Sequence, residues 1–331
     1  MVSRMLRYLD GVQQFRSPYA PELKCVAARV NVPGAKNDQG AIYIMGKGNT
    51  LDEAQARLLG EAAERASVVS SAEMTVWPMW DMLTGETTDV DPRSFFAGLK
   101  MPGTQGCAAH NHWERAAVSA ITELWERRAI ADWWYGQAVL RPFAAELVVE
   151  AGIAEFVQNA RKEAVAPRVT RLFVIDTPAP VHVIAALSTD PENGQAALGF
   201  AAGVNFLQTA ERAVLELFSV ELETADLFRA HLDGDQIEDG SNRARVSALQ
   251  ATLKTRFETE AMGETITSLE GYTQIRPAGP KDLVERSAAL GRAVALVNLT
   301  DDSIGIPVWR AVFTKASENP FLDPQEGILP I

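Results

Sequence analysis

Residues 116–136 read AAVSAITELWERRAIADWWYG, and the rest of the chain is best understood outward from them. Val118, Ile121, Leu124, Trp125, Ile130, Trp133 and Trp134 leave no broad polar face, which predicts a helix buried in a core rather than lying on a surface. Glu123, Glu126 and Arg127 interrupt it. At i, i+3 and i+4 they put two carboxylates and a guanidinium on one side of a single turn. A carboxylate withdrawn from water is costly unless positive charge compensates it. An internal ion pair is one answer and a bound cation is another.

Repetition favours the second. Residues 61–65 are Glu-Ala-Ala-Glu-Arg, which places Glu61, Glu64 and Arg65 at the same spacing on another Ala- and Leu-rich stretch. A looser third copy runs from Gly199-Phe-Ala-Ala-Gly203 to Glu216, the same interval that separates Gly106-Cys-Ala-Ala-His110 from Glu123. It has Ser219 and Val220 where the second acid and its arginine would stand, and Arg212 one turn before Glu216. Self-similarity of this kind predicts three strand, small-residue loop and helix units whose acids meet.

The totals bound the class. A chain of 331 residues buries a large core, and a formal net charge of -12 argues against sequence-independent binding to nucleic acid or an anionic membrane. MVSRMLRYLD at the N-terminus lacks the apolar core of a secretory signal, and no run is apolar enough for a membrane span, so a cytoplasmic location is expected. Cys25 and Cys107 are too few for a disulfide framework, and a buried small hydrophobe is the reading for Cys107 over a reactive thiol. His110 and His112 raise a transition-metal site, but four histidines and no Glu-x-x-His pair do not supply its ligands.

Along the chain, residues 1–40 read as irregular around one short strand, Lys24 to Val32. A strand at Ala41 to Met45 precedes Gly46-Lys47-Gly48, and Thr50 with Glu53 forms a capping box that starts a helix near Leu51 and carries it to about Val69. A lysine between glycines ahead of a helix N-terminus suits an anion, although the motif is not a Walker loop. Residues 71–105 read as a strand plus loops, and 137–168 as helical. Strands are expected at 171–176 and 181–186, a third unit at 196–227, helices at 244–262 and 281–291, and a closing strand pair at 292–299 and 305–313. Alternating strands and helices make this an α/β protein with mixed sheets and one catalytic unit over residues 1–331.

Glutamate oxygens without His or Cys favour Mg²⁺, which binds one or two carboxylates together with substrate phosphates. Arginines among them suit charge on a transferred phosphoryl group, so the residues alone lead to ATP and Mg²⁺ held by acidic helices.

Gly46-Lys47-Gly48 leading to Glu61-x-x-Glu64-Arg65, then Ser119 through Glu123-x-x-Glu126-Arg127, then Arg212-x-x-x-Glu216, resembles the nucleotide-binding motifs of the YcaO family, and the likeness extends to Gly-Ile-Pro-Val at 305–308. The resemblance implies a YcaO-like fold converging on an ATP and Mg²⁺ site, with Glu61, Glu64, Glu123, Glu126 and Glu216 as Mg²⁺ ligands. Arg127 and Arg212 would contact phosphates as the catalytic residues, and Lys47 would lie near the nucleotide. It implies activation of a peptide backbone amide, whose oxygen takes the γ-phosphate and leaves as phosphate. Attack by a Cys, Ser or Thr side chain gives an azoline in a ribosomally synthesised, modified peptide of the bacteriocin or antibiotic kind. Thioamide or amidine formation, and a non-catalytic scaffold subunit, are the alternatives. The implied partners are a precursor peptide, a separate leader-peptide-binding protein, a flavin dehydrogenase and a second copy in a homodimer. Two departures stand out. Arg57 occupies the place of the family's usual serine, and the chain ends Leu329-Pro330-Ile331 rather than in a proline-rich tail.

Overall fold

The computed structural model describes residues 5–31, 42–71, 74–95, 103–192, 196–224, 252, 255–257, 262–272, 279–315 and 318–319. In chain order the strands and α-helices are β1 (Leu9–Phe15), β2 (Lys24–Val30), β3 (Ile42–Gly48), α1 (Leu51–Ser71), β4 (Trp77–Trp80), β5 (Thr87–Val90) and β6 (Cys107–Ala109). Then come α2 (Trp113–Trp134), β7 (Val139–Pro142), α3 (Ala145–Glu150), α4 (Ile153–Ala160), β8 (Val169–Asp176), β9 (His182–Thr189) and β10 (Ala196–Gly203). The series closes with α5 (Phe206–Thr224), α6 (Pro280–Ala289), β11 (Val294–Asn298) and β12 (Val308–Phe313).

The strands form three sheets, ordered β1-β2-β3, β5-β4-β11-β12-β6 and β10-β9-β8-β7. Their ladders are antiparallel, and two isolated bridges, Leu140 to Met262 and Phe143 to Ile266, are parallel. The strand that feeds each long helix lies at the edge of its sheet: β3 before α1, β6 before α2, β10 before α5. Packing between units is cyclic. Helix α1 lies on β3 and reaches β6, α2 lies on β6 and reaches β10, and α5 lies on β10 and reaches β3.

Each helix is therefore the filling between two sheets and has its own core. Leu58, Ala62 and Ala66 of α1 meet Val26 and Ile44 on one side and Val297, Val308 and Val312 on the other. Ile121, Leu124, Trp125 and Trp133 of α2 meet Leu296 and Phe313 opposite Val183, Ala185 and Leu198. Ala213, Leu217 and Phe218 of α5 meet Ile184 and Ala197 opposite Leu23 and Cys25. Burial of such apolar side chains is the main favourable contribution to folding, and here it also fixes the rotation of every helix. Once these stripes face the sheets, Glu61, Glu123 and Glu216 turn toward a common centre.

Several expectations are corrected. Gly46-Lys47-Gly48 is the end of β3, paired with Val26, Cys25 and Lys24, and not a loop. Its glycines serve helix packing, since a Cβ on Gly46 would overlap the Ala54 carbonyl and the Leu58 nitrogen. Gly199 of β10 has the same relation to Ala213 and Leu217 of α5. Residues 9–15, read as irregular, form β1, whose register breaks between Asp10 and Gln13 where Gly11 takes a positive φ of 63°. The 71–105 stretch holds two strands, β4 and β5, and the 137–168 stretch opens with β7 before its two short helices. The last strand begins at Val308, after Gly305 turns at φ 72°. The expected 244–262 helix falls mostly outside the described residues, as does the Leu329-Pro330-Ile331 end. Both Cys25 and Cys107 are buried, and burial pushes both thiols up to about 11, as expected of small hydrophobes.

Candidate nucleotide and metal site

The site is built at the three joints between units. On α1, capped as expected by Thr50 Oγ1 accepting from Glu53 N at 3.2 Å, Glu64 reaches the next unit and its Oε1 accepts the main-chain N–H of Ala109 at 2.9 Å. On α2, Glu126 likewise takes a hydrogen bond from the main-chain N–H of Ala202 on β10. At the third joint the partner is a side chain. Lys47 of β3 lies 2.5 Å from Glu216 Oε2 on α5 and also donates to Ser219. Lys47, Ala109 and Ala202 are equivalent positions, each fourteen residues before the first acid of its helix (47 to 61, 109 to 123, 202 to 216). Ser219 stands where Glu64 and Glu126 stand in the other units.

Every acid also has a cation nearby. Arg65 Nε donates to Glu61 Oε1 at 2.8 Å, and Arg127 Nη2 lies 3.5 Å from Glu123 Oε1 and 3.9 Å from Glu126 Oε1. Arg212 is exposed and donates through Nη1 to the Ala202 carbonyl at 3.1 Å.

The carboxylates feel one another across the joints. Burial, then the charges of Glu61 and Glu123, hold Glu64 well above the usual carboxylate range. Burial pushes Glu123 up to about 7, with Glu126 and Glu61 adding to it and Arg127 opposing. Glu126 is raised by burial and by Glu216, against Arg127, Arg212 and the Ala202 N–H. Glu216 is the exception: burial raises it, but the Lys47 ammonium, Arg127 and Arg212 leave it below the ordinary value. Burial pulls Arg127 down, yet Glu126, Glu123 and Glu216 keep it above the ordinary guanidinium value. The acids from three helices thus form one coupled group in a cleft. The cleft is open rather than dry, since 51% of the Glu216 side chain is accessible against 10% for Glu126.

The structure accordingly brings together Glu61, Glu64, Glu123, Glu126, Arg127 and Glu216, with Lys47 and Arg212 at the third joint. Reading the sequence missed the main-chain donors Ala109 and Ala202 and the role of Ser219. The fourteen-residue interval is the signal that would have found them. His110 and His112 stack on each other with ring centroids 6.3 Å apart, and among the described residues no His, Cys, Asp or Glu group of three is poised around a single ion.

A model of the YcaO family, described as YcaO cyclodehydratase, ATP- and Mg²⁺-binding, matches residues 68–317. The chain belongs to the YcaO family. The matched residues include Glu123, Glu126, Arg127, Arg212 and Glu216, while Lys47, Glu61 and Glu64 precede them. The fold is similar to that of YcaO from Methanopyrus kandleri bound with AMPPCP and Mg²⁺, at 20% identity and a TM-score of 0.69, over 97% of this chain and 92% of that one. It is similar to a heterocyclase in complex with substrate and cofactor, at 15% identity and a TM-score of 0.70, over 94% of this chain and 51% of that one. It is also similar to a chain of the E. coli microcin synthetase McbBCD complex with pro-MccB17 bound, at 14% identity and a TM-score of 0.61, over 92% and 91%. No curated protein sequence matches significantly.

ATP and Mg²⁺ are the cofactors of the YcaO family, and the donor set fits them. Oxygen-only ligands suit Mg²⁺, which takes one or two carboxylates with phosphates and water rather than a full protein cage. Burial first, and neighbouring carboxylates second, hold Glu64, Glu123 and Glu126 above their usual range, so a divalent cation bound among them would favour their charged forms.

Proposed function

We propose that this chain binds Mg²⁺·ATP in the three-helix cleft and uses it to phosphorylate, and so activate, backbone amides of a ribosomally made precursor peptide, leading to azolines. The observation that carries the reading is the electrostatic coupling of Glu64, Glu123, Glu126 and Glu216 across three helices, in a chain of the YcaO family. Glu61, Glu64, Glu123, Glu126 and Glu216 hold Mg²⁺, which when bound screens the polyphosphate and draws charge from the transferred group. Arg127, between Glu123 and Glu126, keeps its proton at any working pH and meets the developing phosphate charge; Arg212, exposed and anchored on the Ala202 carbonyl, is the second phosphate contact. Lys47 orients Glu216 and faces the nucleotide.

The peptide's own Cys, Ser or Thr side chain is the nucleophile in this reading. Residues 1–331 act as one catalytic unit in the cytoplasm, as a homodimer, with a separate protein delivering the leader peptide and a flavin dehydrogenase completing the ring chemistry. The named complexes of the similar folds, a heterocyclase with substrate and a synthetase with its pro-peptide, support peptide as the substrate class.

The test is mass spectrometry of a candidate precursor peptide incubated with the protein, ATP, Mg²⁺ and delivery partner. Loss of one water per modified residue, with ATP consumed, is expected. A gain of sulfur in place of oxygen would reassign the product to a thioamide, and no ATP turnover with peptide and partner present would leave the scaffold reading.

A further inference from the structure

Arg57, the departure from the family's serine, is not an isolated change: it repeats Arg212. Both residues stand four before the first acid of their helix (57 to 61, 212 to 216), and both reach back ten residues to a main-chain carbonyl. Arg57 Nη1 donates to the Lys47 carbonyl at 2.7 Å, as Arg212 Nη1 donates to the Ala202 carbonyl at 3.1 Å. Lys47 and Ala202 are themselves the equivalent positions of their edge strands. The second unit has Ser119 at this place, so two of three units carry the arginine.

We propose that Arg57 is a second oxyanion-binding arginine of the cleft, the counterpart of Arg212, and that it takes the polyphosphate of the nucleotide. This rests on the reading of the cleft as a nucleotide site. Both side chains are exposed at the rim, and each spends one N–H on the carbonyl, which holds the guanidinium plane while further donors stay available for the fork geometry that suits phosphate. Partial burial and then Arg212 oppose the charge on Arg57 while Glu53 and Glu216 support it, so the two arginines lie close together. Arg57, Arg212 and Lys47 face Glu53 and Glu216 there, so the third joint carries one positive charge in excess, whereas the joints at Glu64 and Glu126 are acidic. A Mg²⁺·polyphosphate has a metal side and an oxyanion side, and the cleft offers one to each.

The experiment is calorimetric titration of the full chain and of Arg57→Ser, Arg57→Lys and Arg212→Ala with Mg²⁺·AMPPCP and with Mg²⁺·tripolyphosphate, at two salt concentrations. Arg57→Ser is expected to weaken both ligands about tenfold, the scale of one charge-assisted contact at an exposed site, with a shallower salt dependence and an unchanged melting temperature. Arg57→Lys is expected to retain the salt dependence and lose affinity, because a point charge lacks the fork. Equal or tighter binding by Arg57→Ser, with Arg212→Ala weakened, overturns the proposal while leaving the nucleotide site standing. No binding of either ligand by the unaltered protein overturns both.

Discussion

The main-chain N–H of Ala109, on β6, donates to the Glu64 carboxylate of α1 at 2.9 Å, so an acid of one unit is held by the edge strand of the next. Because an edge strand leaves alternate N–H groups unpaired, it offers a donor that no other strand uses. Structure and chemistry are therefore separable at Glu64. Gln keeps an acceptor for Ala109 and removes the charge that Glu61 and Glu123 oppose; Ala removes both. In the absence of nucleotide and Mg²⁺, Glu64→Gln is expected to raise the melting temperature, and Glu64→Ala to fall below Glu64→Gln by about 1 kcal/mol for the unpaired N–H. Both are expected to lose ATP turnover. Equal stabilities of the two variants by denaturant titration would remove the joint from the account.

At the third joint, Lys47 lies 2.5 Å from Glu216 Oε2, with 14% and 51% of the two side chains accessible. The pair is half open to water, so its coupling is screened. A double-mutant cycle of Lys47→Met and Glu216→Gln is expected to return about 1 kcal/mol. Lys47→Met alone is expected to return Glu216 to an ordinary or raised carboxyl, measurable by NMR titration. A cycle of zero coupling contradicts the joint.

Glu123 contributes to the pH dependence beside Glu64 and Glu126, whose carboxyls burial also raises. Burial displaces the Glu123 carboxyl from 4.5 to about 7, so the folded protein binds more protons than the unfolded chain between those values. Stability is thus fully present below about pH 4.5 and is lost as pH rises through about 7, by on the order of 3 kcal/mol at most for this group in the unliganded protein. Glu123→Gln is expected to reduce that slope, leaving the part due to Glu64 and Glu126, and to be more stable than the parent at pH 8. Mg²⁺ with a nucleotide analogue is expected to restore the parent at the same pH. A parent whose unliganded stability rises between pH 5 and pH 8, with the variant tracking it, would speak against a buried protonated carboxyl.

Much of this was legible in the sequence because two kinds of signal were local. Helices α1, α2 and α5 follow from their apolar content, and the acids recur on them at a fixed interval that the apolar residues alone do not explain. Strands β8 to β10 follow from short apolar runs broken by Thr177-Pro-Ala-Pro and similar turns. What stayed hidden depends on partners far along the chain. Strand β1, LDGVQQF, is polar and half exposed, and only its pairing with β2 makes it a strand. Gly46 and Gly48 read as loop residues because glycine is a turn former, whereas here α1 lies too close to β3 for a Cβ. The main-chain donors Ala109 and Ala202 carry no side-chain signature at all, so the joints become visible only when the three units are superposed.

The closeness of helix to strand gives a last prediction with a built-in control. Gly46 and Gly199 each sit where an added Cβ would overlap backbone atoms, the Ala54 carbonyl and Leu58 nitrogen for one, the Leu217 nitrogen and Ala213 carbonyl for the other. Backbone cannot swing aside as a flexible side chain can, so the helix itself must move. Gly46→Ala and Gly199→Ala are each expected to cost about 3 kcal/mol. They are also expected to weaken nucleotide binding, since α1 and α5 carry the acids that face the cleft. Gly60, inside α1, has no atom within 4 Å of an added Cβ. Gly60→Ala is expected to stabilise by about 0.5 to 1 kcal/mol through helix propensity and a less free unfolded chain. Chemical denaturation of the three variants measures this directly, and a Gly199→Ala protein as stable as Gly60→Ala would mean that α5 does not rest on β10 as described.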